Sequence, residues 1–75
     1  MTKQEFLTQL QDVLQRDDPV NEGDALADYD EWDSLSKMAV MAFFDKNFGI
    51  KISLKEVGEV SSVEGLIALA QGKIA

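Results

Sequence analysis

Trp32-Asp33-Ser34-Leu35 is the stretch of this chain whose residue types and placement suggest chemistry. Ser34 supplies a hydroxyl, and Asp33 just before it is a favoured helix N-cap. A helix starting there turns backbone N–H groups and the positive end of its dipole toward that hydroxyl, a setting that favours phosphate. Ser34 is therefore suited to carry a covalently attached phosphate ester. It is not suited to act as a hydrolase nucleophile, because the chain contains no histidine and no cysteine.

The same absences limit the rest of the chemistry. Without cysteine there are no disulfides and no thiolate metal sites. Without histidine the usual general base near neutral pH and the commonest metal ligand are gone, so a non-enzyme is expected. The acids Asp28, Asp30, Glu31 and Asp33 begin like a calcium loop. Trp32 then stands where a ligand is needed, Asp33 where glycine is needed and Ala39 where the closing glutamate belongs, so a dedicated calcium site is rejected.

Charge is the next constraint. The formal net charge is -7 and the isoelectric point is about 4.2, which disfavours nucleic acid and anionic membranes as partners. The acids are concentrated: Asp17, Asp18, Glu22, Asp24, Asp28, Asp30, Glu31 and Asp33 lie between Arg16 and Lys37 with no base among them. Such a run is ordinarily a solvated loop. It also creates a field that steers a partner with a basic patch toward the helix start at Ser34. No apolar run approaches the roughly 18 residues of a membrane span, and Met1 to Glu5 is too polar for a secretory signal. Membrane insertion is not expected, and a cytoplasmic monomer is the default expectation.

These residues must be positioned by a small fold. The 75 residues are expected to form a single domain over 1–75, all-α, near the lower size limit for a core without staples. Helical spacing of Phe6, Leu7, Leu10, Val13 and Leu14, after a Thr2–Glu5 capping box, predicts a first helix over about 3–16. Asp17-Asp18-Pro19 ends it. Residues 17–32 form a long loop anchored by Val20, Leu26, Tyr29 and Trp32.

A second helix spans about 34–48 with Asp33 as N-cap and Gly49 as left-handed C-terminal cap. Leu35, Met38, Ala39, Ala42 and Phe43 are expected to form its buried stripe. Val40, Met41, Phe44 and Phe48 widen that stripe, and Val40 and Met41 are assigned as partner contacts. Ile50 and Ile52 sit in a short extended link. Ser53-Leu54-Lys55-Glu56 opens a short helix that fades near Gly58, and Ser61-Ser62-Val63-Glu64 is a further capping box opening the last helix. The expected fold is a small four-helix bundle: three main helices plus one short helix, with the long loop between helices one and two. Met38, Met41, Phe43, Phe44 and Phe48 are assigned mainly to core filling, with shelter for an acyl chain as the minor alternative.

Ser34 after aspartate would, alone, be part of a cap and no more. The order of features adds to this: helix, long acidic loop, Asp33-Ser34-Leu35, second helix, Phe48-Gly49-Ile50-Lys51-Ile52, short helix, then Ser61-Ser62-Val63 opening the last helix. Over nearly the whole chain this resembles the acyl carrier proteins and their peptidyl relatives.

The resemblance implies that a phosphopantetheinyl transferase attaches 4'-phosphopantetheine to Ser34, making a phosphoprotein. The arm would hold an acyl-type intermediate as a thioester between pathway enzymes that present basic patches. It further implies that Asp33 helps the transferase dock and that Leu35 is the apolar contact beside it. Trp32, Asp30 and Glu31 join Val40 and Met41 as expected partner-binding residues. Trp32 replaces a glycine common in the family, and the second helix carries Ser36, Lys37, Ala39 and Lys46 with Asp45 as its only acid. This form looks more like a specialised stand-alone carrier for a dedicated pathway, such as lipid, secondary-metabolite or surface-polysaccharide chemistry. Alternatives are a peptidyl or aminoacyl carrier, and an acidic helical adaptor that binds a basic protein without a prosthetic group.

Overall fold

Local hydrogen-bonding chemistry starts each helix of this chain. In the computed structural model, which describes residues 1–74, the order is α1 Lys3–Leu14, a single 3-10 turn at Leu26–Asp28, α2 Ser34–Phe48, α3 Leu54–Glu59 and α4 Val63–Leu69. No strand is present among the described residues, and the arrangement is the expected small helical bundle. No helix is long and apolar enough to cross a membrane.

Reciprocal caps open α1, α2 and α3. Thr2 Oγ1 accepts from the Glu5 N–H at 3.1 Å while Glu5 Oε1 accepts from the Thr2 N–H at 3.0 Å. Ser53 and Glu56 repeat the arrangement at α3. These caps satisfy N–H groups that an isolated helix end leaves unpaired. The α4 start differs from expectation. Its N-cap is Ser62, whose hydroxyl accepts from the Gly65 N–H at 3.2 Å, and no Ser61–Glu64 box forms. The long loop takes over that duty: the N–H groups of Val63 and Glu64 donate to the carbonyls of Asp24 and Glu22, at 3.1 and 3.0 Å. The Ser61 carbonyl is occupied in turn by the Leu26 N–H, at 3.0 Å.

α1 also ends earlier than expected, at Leu14 rather than Arg16. Gln15 takes a left-handed conformation at φ 55°, and the Arg16 N–H closes back on the Gln11 carbonyl at 3.0 Å. Gln11 Nε2 then donates to the carbonyls of Arg16 and Asp17. No glycine marks this turn. The stop at Gly49 follows its sequence signal, with φ 67° and its N–H on the Asp45 carbonyl.

The core is built from every segment: Phe6, Leu10 and Leu14 of α1; Val20, Leu26 and Tyr29 of the loop; Val40, Phe43 and Phe44 of α2; then Ile52, Val57, Val63, Leu66, Ala70 and Ile74. Phe6 meets Phe43 and Phe44 with ring centroids 5.9 and 6.0 Å apart, and Phe44 meets Phe48 edge-on at 5.2 Å. The α2 stripe assigned from sequence is therefore corrected. Leu35 is 76 % exposed, Met38 is 52 % exposed and Ala42 also faces outward, whereas Val40 is wholly buried. With so many apolar residues around α2, helical periodicity alone could not choose the inward face. The paired rings of Phe43 and Phe44 against Phe6 chose it. Val40 consequently cannot be a partner contact.

Phe44→Ala should cost about 3–5 kcal/mol, the range for large-to-small changes at a buried aromatic. Leu35→Ala should change stability by no more than about 0.5 kcal/mol, as exposed positions do. Thermal melts followed by circular dichroism compare the two; similar losses would contradict this choice of inward face.

Candidate functional site

Asp33 and Ser36 fix the start of α2, and thereby the place of Ser34. Asp33 Oδ1 accepts from the Ser36 N–H at 2.9 Å, while Ser36 Oγ accepts from the Asp33 N–H at 2.9 Å and donates to the Asp33 carbonyl at 3.0 Å. Ser36 is the buried polar side chain of the helix, and its hydroxyl is fully used within this cap. The Ser36 N–H, with burial opposing and the Ser36 hydroxyl and Leu35 N–H assisting, holds the Asp33 carboxyl below its ordinary range. Ser34 then occupies the first helical position with its side chain in solvent. Among the described residues its hydroxyl makes no hydrogen bond. Leu35 stands exposed next to it.

This geometry alters the expected phosphate setting. The capping carboxylate already takes the Ser36 N–H and carries negative charge at the positive end of the helix. A phosphate ester on Ser34 would thus project outward beside Asp33, with little of the helix start left to hold it. The site suits display of an attached group more than its binding. A shallow groove of about 300 Å³, lined by Val13, Leu14, Glu31, Asp33, Leu35 and Ala39, runs beside it between α1 and α2.

The residues before Ser34 are tied down from behind. Arg16, at the end of α1, donates from Nη1 to Glu31 Oε1 at 2.9 Å and lies 3.9 Å over the Tyr29 ring. Tyr29 donates its hydroxyl to Asp24 Oδ2 at 2.6 Å, and the same oxygen accepts from the Asn21 N–H at 3.2 Å. Burial, then the Asp24 hydrogen bond, push the Tyr29 phenol up to about 12. The Tyr29 hydrogen bond in turn lowers Asp24. Glu31 is lowered by its own backbone N–H and by Arg16. Sequence reasoning placed Glu31 among partner contacts; in the fold its carboxylate is committed first to Arg16. Arg16 and Asp24 were not singled out by sequence, since a lone arginine before an acidic run carries no positional signal.

Trp32 is half-buried against the core, with Lys37 Nζ 5.7 Å from its ring centroid. Asp30 is exposed, and Met41 is partly buried beside the core. Among the described residues no group of acids is arranged to hold a metal ion. The five expected cofactor and contact residues around the helix start, Trp32 to Leu35 with Glu31, are brought together, whereas Val40 is not. No family model, curated protein or solved structure matches the chain.

Two measurements check this site. Asp33→Ala should cost about 0.5–2 kcal/mol through loss of the N-cap, read from urea unfolding at neutral pH. The phenol supplies the second. Because its folded pKa is raised, its stabilisation is complete below the unfolded value of about 10 and is lost as pH rises to about 12. Wild type should therefore lose stability across that alkaline window, and Tyr29→Phe should lose less. Asp33, Asp24 and Glu31, all lowered, act oppositely: their contribution is present above the ordinary carboxylate range and is lost as pH falls below it.

Proposed function

We propose that this protein is a carrier: a 4'-phosphopantetheine arm attached to Ser34 holds an acyl-type intermediate as a thioester and presents it to successive enzymes. The observation that carries this reading is the exposed, uncommitted Ser34 hydroxyl on the first turn of a rigidly capped, 15-residue helix. A transferase must reach that oxygen so that it can attack the pyrophosphate of coenzyme A, forming the serine phosphodiester and releasing adenosine 3',5'-bisphosphate. Nothing in the fold obstructs it. An adaptor without a prosthetic group has no need for an exposed hydroxyl at this point.

The surrounding residues fit the attached group. Asp33 is ionised and anchored through the Ser36 N–H, so its position beside Ser34 is reproducible. Leu35 offers an apolar contact within one residue of the attachment point. When bound, the arm supplies a thiol, the nucleophile that this cysteine-free chain lacks. The chain's own contribution is attachment and display. Each docked enzyme then meets the cargo at a high effective concentration set by the length of the tether. The exposed acids Asp28 and Asp30 of the loop favour approach of a transferase or pathway enzyme bearing basic patches, and that attraction should weaken with salt.

Incubation with coenzyme A, magnesium and several broad-specificity phosphopantetheinyl transferases should raise the intact mass by one phosphopantetheine. Ser34→Ala should abolish the gain while leaving the helical circular dichroism unchanged. Absence of the gain with every transferase would end the carrier reading and favour the adaptor.

A further inference from the structure

The charge of this protein is divided by location. The stretch from Asp17 to Asp33 holds eight acids and no base, while residues 37–55 hold Lys37, Lys46, Lys51 and Lys55 against Asp45 alone. The ion pairs among the described residues are Lys3–Glu22 and Arg16–Glu31. None of those four lysines therefore has a carboxylate partner. Lys46, Lys51 and Lys55 are exposed, and Lys37 lies along Trp32.

These lysines border the apolar surface that the core did not take up. Leu35, Met38, Ala42 and Asp45 follow one another along the outer face of α2, a run of about 15 Å at 1.5 Å per residue. Leu35, Met38 and, on α3, Leu54 are the large apolar side chains left exposed. Met38, Met41 and Ala42 line a groove of about 370 Å³ with Asp45, Lys51 and Ile52. On the other flank of Ala42, a groove of about 510 Å³ contains Val13, Ala39, Phe43 and Lys46. The helix crest thus has a lysine on either side. Methionines in such a surface adapt to the shape of an incoming side chain.

We propose that the outer face of α2, with its groove toward α3, docks a protein whose apolar patch is rimmed by carboxylates. The apolar centre supplies the contact area, and the unpaired lysines select the sign of the rim at distances where charges are not screened. This partner has the opposite charge from one drawn to the acidic loop. The surface stands independently of the modification at Ser34. A second copy is a poor occupant because its net charge of -7 opposes association, and an anionic bilayer meets the same repulsion.

Two helical peptides with one shared Leu/Met stripe, one rimmed by glutamate and one by lysine, test this against the full-length, unmodified 15N-labelled chain. The glutamate-rimmed peptide should shift the amides of Leu35, Met38, Met41, Ala42, Lys51 and Leu54. Its Kd should rise at least tenfold in the combined variant Lys46→Glu, Lys51→Glu, Lys55→Glu, and several-fold in Met38→Ser, with circular dichroism confirming that both variants fold. The proposal is overturned if the lysine-rimmed peptide occupies the same face as tightly, if the shifts map elsewhere, or if neither peptide binds at millimolar concentration. It is equally overturned if sedimentation shows dimers that the charge-reversed variant dissolves, or if phosphatidylserine vesicles bind through these lysines.

Discussion

The connection from α1 to α2 is held to the rest of the molecule by backbone hydrogen bonds to the start of α4, and the site depends on that attachment. Glu22 and Asp24 lend their carbonyls to the first N–H groups of α4, and Leu26 returns its N–H to Ser61. A free loop of this length would leave the entry to α2 undetermined. Here each side completes the other: the loop gains fixed partners, and the helix end gains the acceptors that its own sequence does not provide. Burial of Val20, Leu26 and Tyr29 then makes the connection part of the core.

From that anchor the order passes to Ser34 in short steps. Tyr29 ties Asp24 to the ring face under Arg16, and Arg16 holds Glu31. Trp32 rests on the core, and Asp33 closes its cap with Ser36. Much of the carboxylate charge nearest the site is therefore structural as well as electrostatic. Asp24, Glu31 and Asp33 each have a hydrogen-bonded role. Asp28 and Asp30, exposed and uncommitted, are left to act on partners. The result is a rigid mount for a hydroxyl that itself engages nothing.

The two faces of α2 show how packing assigns function. A helix with apolar residues all around must bury some and expose others. Once Phe43 and Phe44 turn inward against Phe6, Leu35, Met38 and Ala42 must face out, because residues on a helix keep fixed angular relations. The exposed apolar face and its lysines follow from that one choice.

The sequence by itself determined what local chemistry can decide. The caps at Thr2, Asp33 and Ser53, the stop at Gly49, the all-helical class and the extent of α2 all rest on contacts within a few residues. Asp33 and Ser34 were legible for the same reason. Tertiary structure decided the rest: which face of α2 is buried, the end of α1 at a left-handed Gln15, and the shift of the α4 cap from Ser61 to Ser62. Those outcomes turn on partners far apart in the chain, namely Phe6 with Phe44, Arg16 with Glu31, and Asp24 with Val63. Their pairing depends on how the whole chain fills one core, and residue spacing carries no record of that.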